Sequence, residues 1–379
     1  SEREIARDIP APADRKTMSL PAIILCDPQT AALRIAALPL LDRLLVAVQR
    51  AGADSITVVS REPLPPLPRA TALGVKFQLV AQVPEVNRPT LALNTRLLVQ
   101  PADLKAVIAR QGRLVTKNGA ALPVGVISEP ISENFEQQLS RLPDVAAQGV
   151  ALPVTGAASV PVVSRALWAS LTSSADGLVD KFFNRPVGRF LSKALAPTPV
   201  SPNQVSVAAT LLGLWSAWLF ADGDARQALW GAIVLQISAI VDCVDGDLAR
   251  VAFKESPLGK WLDIVGDQVV HISVFVAIGI GLYRAGCPAP VLPLAASAAV
   301  GVVISFIVIV RGLRLMARHP DNRLQKVMDA LTNRDFSVLL LALTWFGKLE
   351  WFLWLTAVGV HVFWIVVLAV QMMGRPAAA

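Results

Sequence analysis

Four aspartates lie within or beside long apolar runs in the second half of the sequence: Asp242, Asp245, Asp263 and Asp267. A carboxylate in a membrane-spanning segment is costly, so each of these residues calls for a functional explanation. Spacings of three and four residues place the first two on one helix face and the last two on one face of the next helix. Two antiparallel helices joined by a tight turn would aim all four carboxylates at one point.

The chemistry that such a cluster favours is metal-assisted phosphoryl transfer. Neighbouring carboxylates cannot all stay ionised unless cations neutralise them, and two divalent ions would balance the four negative charges. Oxygen ligands without His or Cys select Mg²⁺, Mn²⁺ or Ca²⁺ over zinc. Two such ions suit phosphoryl transfer because they stabilise the attacking and the leaving oxygen together. Arg250, on the same helix face as the first two aspartates, would hold a diphosphate.

A family signature spans the same residues. The sequence DCVDGDLAR, a gap of eight residues and then GKWLDIVGD have the form DxxDGxxAR(x8)GxxxDxxxD. This pattern resembles the signature of the CDP-alcohol phosphotransferases, and every signature position is filled. The resemblance covers roughly residues 177–373. It implies a domain of six transmembrane helices in which an acceptor hydroxyl displaces CMP from a CDP-alcohol.

The resemblance also implies roles for individual residues. Two divalent ions, Mg²⁺ or Mn²⁺, would be held by Asp242, Asp245, Asp263 and Asp267. Asp267 would in addition be the catalytic base that deprotonates the acceptor. The site of the cytidine diphosphate would be lined by small residues and one arginine, namely Gly246, Ala249, Arg250 and Gly259.

The first apolar segment begins with SPNQVS, which resembles the family's Pro-Asn-x-Val-Thr/Ser motif. The resemblance makes Asn203 a candidate ligand of the nucleotide. A plain helix start, with Ser201 as the cap and Pro202 in the first turn, explains the same residues. Both interpretations stay open at this point.

Other polar residues near the signature carry weaker predictions. Asp247 is expected to be a solvated neighbour at the helix end, with a bond to the nucleotide as the alternative. His271 is expected to be a packed residue or a hydrogen-bond partner of Asp267 rather than a metal ligand. Arginines at the mouth of the fourth and fifth spans either contact lipid headgroups and set the topology or form a pocket for an acceptor phosphate. These arginines are Arg311, Arg314 and Arg334.

Long apolar segments are the elements that must position these residues. Of the 379 residues, 54% are hydrophobic and 17% are charged, which excludes a disordered chain and makes a membrane protein the first hypothesis. Six segments follow residue 200, the fifth of them short: 203–221, 227–247, 258–283, 289–311, 335–347 and 350–373. The net charge of +7 arises from Lys and Arg between such segments, which favours control of topology over nucleic-acid binding.

The distribution of positive charge predicts a multi-pass protein of the cytoplasmic (inner) membrane. With the N-terminus inside, the cytosolic flanks of the spans carry most of the Lys and Arg, so the N-terminal domain and the C-terminus are cytosolic. Four regions follow: a tail at 1–18, an α/β domain at 19–172, an interfacial amphipathic helix and linker at 173–200, and the transmembrane domain at 201–375.

The α/β domain begins with PAIILCD, PLLDRLLVAVQRAG and DSITVVS, a strand, a helix and a strand that predict a parallel, Rossmann-like sandwich. This order resembles the opening of a MobA-like nucleotidyltransferase. The glycine-rich LAAGxGxR loop of an active enzyme is replaced by LCDPQTAALR, and Asn94 stands where a metal-binding acid is expected. We therefore predict a degenerate cytidylyltransferase-like domain without catalysis of its own.

Together these features predict a membrane CDP-alcohol phosphotransferase that makes a phospholipid or a polyol phosphodiester, with an inositol-related substrate as one option. Its partners would be a CDP-alcohol donor, a lipid or polyol-phosphate acceptor, membrane lipids and, by resemblance, a second copy in a homodimer. Nucleic acid is not expected. The alternative is a cation transporter or channel with a soluble sensor domain, which predicts acidic residues spread over several helices rather than clustered on one pair.

Overall fold

The computed structural model describes residues 20–132, 135–172, 177–318 and 336–373. Contacts divide the chain into two compact units, which we treat separately. The α/β unit contains the described residues up to Leu171 together with Val251–Phe253. The helical unit contains the described residues from Thr172 to Arg250 and from Lys254 onward.

A seven-stranded mixed sheet forms the centre of the α/β unit, in the order β10-β8-β9-β6-β1-β4-β5. The strands are β1 (Pro21–Leu25), β2 (Arg34–Ile35), β3 (Leu38–Pro39), β4 (Ser55–Val59), β5 (Gln78–Val80), β6 (Thr90–Asn94), β7 (Leu97–Leu98), β8 (Arg113–Val115), β9 (Ala121–Ile127), β10 (Asp144–Ala146) and β11 (Leu152–Pro153). The helices are α1 (Pro28–Ala31), α2 (Leu40–Ala51), α3 (Pro68–Ala72), α4 (Pro101–Arg110), α5 (Glu136–Leu139) and α6 (Val160–Ala169). The α/β class is thereby confirmed.

The opening of this unit agrees with the sequence prediction. Strand β1 pairs in parallel with both β4 and β6, and its residues Ala22 to Ile24 are buried, as expected for a central strand covered on both faces. Helix α2 ends at Gly52, whose φ of 94° is left-handed and suits a residue without a side chain. The sheet as a whole is mixed, because β9 runs antiparallel to β6 and β8, and this antiparallel pairing was not part of the prediction.

An arginine is fully buried in α2. Arg43 donates one hydrogen bond to the carbonyl of Ile35 (3.0 Å) and one to the carbonyl of Val251 (2.8 Å). Its guanidinium also lies 5.3 Å from the ring centroid of Phe253, a residue held at a left-handed φ of 54°. Burial lowers the pKa of Arg43 to about 10, so the side chain is still a cation at neutral pH.

The helical unit begins with a π-helical turn at Asp180–Asn184 and continues as α7 (Arg185–Leu195), α8 (Pro202–Ala221), α9 (Ala225–Val251), α10 (Pro257–Arg284), α11 (Val291–Arg318), α12 (Phe336–Trp345) and α13 (Leu349–Met373). Five of these are long and apolar enough to cross a membrane, and α12 is a shorter apolar helix. This arrangement agrees with the prediction of about six spans with a short fifth one.

Close approach at glycines packs α8 against α10. A Cβ added to Gly266 would lie 2.6 Å from Thr210 Oγ1, and one added to Gly213 would lie 2.5 Å from the side chain of Val270. Contacts therefore advance in the same direction along both helices, which makes them parallel. Helix α9 runs the opposite way, because Ser238 donates to the carbonyl of Ala209 (2.7 Å) and Ser216 to the carbonyl of Gly231 (2.8 Å).

We predict that Arg43→Met destabilises the α/β unit by about 2 kcal/mol, because two buried carbonyls lose their donor. The measurement is hydrogen exchange of the backbone amides of α2 in the intact protein. The control is Arg88→Met, which removes an exposed ion pair with Asp54 (3.2 Å) and should cost less than about 1 kcal/mol. Equal protection in the two variants would contradict the structural importance of Arg43.

Candidate active site

Helices α9 and α10 bring three of the four signature aspartates together. One carboxylate oxygen from each of Asp242, Asp245 and Asp263 lies within 4.8 Å of the other two. Asp242 and Asp245 are almost one turn apart on α9, and Asp263 lies in the second turn of α10. The predicted meeting of carboxylates from two helices is therefore present, and its donor atoms are all hard oxygens.

Helix α8 supports this group through a serine. Ser206 is buried in the second turn of α8, and its hydroxyl donates a hydrogen bond to Asp245 Oδ2. It has this position because α8 begins at the same end of the bundle, with Ser201 as its cap and a reciprocal bond pair to Gln204. The helix-start interpretation of SPNQVS is confirmed, and the serine of that motif is also a partner of a signature acid.

Asp267 lies one turn beyond Asp263 on α10 and is not part of the group within 4.8 Å. It lines a small cavity of about 40 Å³ together with Asp242, Thr210, Ser238 and His271. The negative charges of Asp263 and Asp245 act on it. The structure thus groups three acids closely and places the fourth at the wall of a cavity that Asp242 also lines.

His271 packs among aromatic rings at the wall of that cavity. Its ring stacks on Phe275 with the centroids 6.1 Å apart, and it meets Phe336 edge-on at 5.0 Å. The expectation of a packed residue near Asp267 is confirmed.

Arg250 folds back over the signature glycine. A Cβ added to Gly246 would lie 3.1 Å from Arg250 Nη1 and 3.3 Å from Nη2, so a side chain at this position would press against the guanidinium. Ala249, the residue before the arginine, is partly buried. The small residue at position 246 therefore leaves room for the guanidinium of the arginine.

The prediction for Asp247 was wrong. This carboxylate is not solvated: its side chain is 1% exposed, and Oδ1 accepts hydrogen bonds from Arg250 Nη2 (3.0 Å) and Arg185 Nη1 (3.1 Å). The second partner comes from α7, 62 residues earlier in the chain. No pattern along α9 alone could have indicated it.

Asn203 lies against the first signature residue of α10. A Cβ added to Gly259 would be 2.7 Å from Asn203 Oδ1. The structure therefore brings Asn203 to the same end of the bundle as the acids, near a residue that the resemblance assigned to the nucleotide site.

The arginines predicted for an acceptor pocket lie on α11. Arg311 and Arg314 line a second cavity of about 440 Å³ beside Phe306, Ile307 and Val310. This cavity shares no lining residue with the one at Asp267. Arg334 lies outside the residues that the structure describes.

Comparison with known proteins agrees with this geometry. Residues 199–363 match the family model of the CDP-alcohol phosphatidyltransferases. The chain is 34% identical over 109 residues to a bifunctional IPC transferase and DIPP synthase of Aquifex aeolicus, covering 28% of this chain and 24% of the relative. A protein of the same name from Rubrobacter xylanophilus is 35% identical over 114 residues, covering 30% of this chain and 25% of the relative.

A shorter relative is also similar. The archaetidylinositol phosphate synthase of Pyrococcus horikoshii is 30% identical over 91 residues, covering 24% of this chain and 47% of the relative. The matches to the two bifunctional relatives thus span about a quarter of the length of those proteins.

We predict that Ser206→Ala weakens the binding of Mn²⁺ by about 10-fold, because partners of metal-ligating carboxylates usually contribute that much to affinity. The measurement is titration of Mn²⁺ into the intact protein, followed by electron paramagnetic resonance. Ser216→Ala is the matched control, since Ser216 is equally buried in α8 but donates to the carbonyl of Gly231. Equal affinities in the two variants would show that Ser206 does not support the site.

Proposed function

From the CDP-alcohol phosphatidyltransferase domain at residues 199–363, we propose that the protein is a membrane enzyme that transfers a phospho-alcohol group from a CDP-alcohol to an acceptor hydroxyl and releases CMP. The observation that carries the proposal is the group of three carboxylates within 4.8 Å, on the two helices of the signature, with Arg250 on the same helix. A cluster of this kind needs cations, and phosphoryl transfer uses them.

The residues fit divalent metal ions. Carboxylate oxygens without nitrogen or sulfur donors select Mg²⁺ or Mn²⁺. Two ions would be held by Asp242, Asp245, Asp263 and Asp267, the last of these from the wall of the adjacent cavity. When bound, such ions stabilise the negative charge that develops on the attacking and leaving oxygens.

The side chains around this group have distinct tasks. Arg250, lying over Gly246, donates hydrogen bonds to the diphosphate of the donor. Gly259 and Ala249 let the nucleotide approach the backbone closely, and Asn203 lies beside Gly259 to bond it. Asp267 takes the proton from the acceptor hydroxyl in the cavity that it lines.

The reaction is a single displacement at phosphorus. The acceptor oxygen forms a bond to the β-phosphorus of the CDP-alcohol, and the bond from that phosphorus to the bridging oxygen breaks. CMP leaves with the bridging oxygen, and the acceptor proton goes to Asp267. The product is a phosphodiester that contains the alcohol of the donor and the acceptor.

The substrates that we propose contain inositol. Names of similar proteins support this choice, because one of them makes archaetidylinositol phosphate. The phosphate of an acceptor would be bound by Arg311 and Arg314, which line an apolar cavity that suits a lipid chain beside a charged group. Arg334 is proposed as a third member of this pocket on the basis of its sequence position.

The placement in the membrane that we propose follows from charge and exposed apolar surface. The helix α7 and the turn before it expose Phe182, Phe183 and Phe190, the last to 82%, which suits a helix lying at a lipid surface. The bias of Lys and Arg puts the α/β unit and the C-terminus in the cytosol. We further propose regions 1–18, 19–172, 173–200 and 201–375 and a homodimer, as the resemblance implies.

The α/β unit is proposed to have no catalysis of its own. The loop after β1, where an active nucleotidyltransferase has glycines, is occupied by α1 with Asp27 as its cap. Arg96 forms an ion pair with the same aspartate, and Thr95 Oγ1 accepts a hydrogen bond from its amide (2.8 Å). These bonds close the end of β1 with the protein's own side chains.

We predict that the intact protein in lipid with Mg²⁺ releases CMP from CDP-inositol, CDP-diacylglycerol or CDP-glycerol when a suitable acceptor is present, and that Asp267→Asn lowers this rate by at least about 100-fold. The amide keeps the shape of the carboxyl group but cannot accept the proton. The measurement is CMP formation with each donor against a panel of acceptors.

The control is Asp222→Asn, because Asp222 is exposed at the opposite end of α8. Equal rates in Asp267→Asn and wild type would remove Asp267 from the reaction. If no donor yields CMP, the proposal that the protein is a transferase is wrong. Measurement of metal-ion flux through reconstituted vesicles then tests the transporter alternative.

A further inference from the structure

Asp247 lies on a face of α9 that the metal-binding acids do not use. Its buried carboxylate receives Arg250 from its own helix and Arg185 from α7, both on the oxygen Oδ1. The other oxygen, Oδ2, is also buried and has no hydrogen-bond partner among the described residues. A buried carboxylate is stable only when cations accompany it, so the two arginines and Asp247 form one unit.

This unit fixes the direction in which Arg250 presents its donors. The guanidinium lies over Gly246, with Nη2 bound to Asp247, and its side chain is 41% exposed. An arginine has five N–H donors in a rigid plane, so binding one edge to Asp247 leaves the others directed elsewhere. An arginine held in this way binds a diphosphate without first losing side-chain freedom.

Helix α7 is seated on α9 so that Arg185 reaches Asp247. A Cβ added to Gly188 would lie 3.0 Å from the carbonyl of Ile240, which shows how closely the two helices approach. One turn earlier, Asn184 Oδ1 accepts a hydrogen bond from Gln236 Nε2 (2.5 Å). Contacts at these points set the register of α7, and Arg185 is the residue of α7 that joins the side chain of Arg250 through a shared carboxylate.

We propose that Asp247 is a positioning residue for the nucleoside diphosphate of the donor, and that it links Arg250 to the surface helix α7 through Arg185. The proposal rests on the proposed function, since it concerns the same donor site. It adds a residue outside the metal group, and it adds a helix outside the matched domain. A residue on α7 therefore contributes to donor binding without touching the donor.

The experiment compares steady-state kinetics of wild type, Asp247→Asn, Arg185→Gln and the double variant, all as intact protein in lipid. Asp247→Asn should raise the KM for the CDP-alcohol by about 10-fold and change kcat by less than about 2-fold, because positioning of the donor is lost and the metal ligands stay. Arg185→Gln should raise the same KM by several-fold. The double variant should be no worse than Asp247→Asn, because both changes break one chain of contacts.

Arg226→Gln is the matched control, with the same change of residue and charge at the exposed first turn of α9. Its KM should equal that of wild type. The proposal is overturned if the effects of Asp247→Asn and Arg185→Gln on KM are additive. It is also overturned if Asp247→Asn lowers the melting temperature and leaves KM unchanged, because Asp247 would then have only a structural role. Arg185→Gln decides the question alone if Asp247→Asn does not fold.

Two binding measurements distinguish a failure of this proposal from a failure of the proposed function. Binding of CDP to the intact protein, measured by calorimetry in the presence of Mn²⁺, should weaken about 10-fold in Asp247→Asn, whereas binding of Mn²⁺ alone should be unchanged. A wild-type protein that binds CDP but forms no CMP would contradict the transferase and leave the positioning role standing. If the wild-type protein is active and the KM of Asp247→Asn is unchanged, the transferase is supported and the positioning role of Asp247 is contradicted.

Discussion

Negative charge concentrated at one end of apolar helices is the constraint on which the helical unit depends. Asp242, Asp245 and Asp263 come within 4.8 Å of one another, where their mutual repulsion is large unless cations and hydrogen-bond donors surround them. The surrounding structure supplies such donors: Ser206 donates to one acid, and the charge of Arg250 acts on two. The glycine contacts between α8 and α10 bring these two helices close together, beside the acids.

Helix α9 is central to this arrangement because its faces contact different helices. One face presents Asp242 and Asp245 to α10, and another presents Asp247 and the backbone of Ile240 to α7. Arg250 joins the two faces, since it follows Asp247 by three residues and lies over Gly246. The last turns of α9 therefore connect the signature acids, the proposed position of a diphosphate and a helix with an exposed aromatic face.

The features that could be predicted from the sequence are those that depend on residues within one segment or within two neighbouring segments. Acids at helical spacing in apolar runs leave few arrangements, so the group on α9 and α10 was predictable, as was α2 with Gly52 as its end. The antiparallel strand β9 was missed because the first parallel unit was extended to the whole sheet. Its signal was present, since Asn118 and Gly119, with a φ of 80° at the glycine, are typical of a tight hairpin between β8 and β9.

The role of Asp247 could not be predicted in this way, because its second cation lies 62 residues away on a different helix. Asp247 occupies a position that the signature leaves unspecified, and on α9 alone nothing indicates that it is buried. The structure shows why it is buried: α7 covers it, and Gly188 lets α7 come close enough to do so. Arg185 and Arg250 share that single carboxylate, so the three side chains together keep a net positive charge. That charge lies on the helix that carries Asp242 and Asp245, where the diphosphate of the proposed donor would need it.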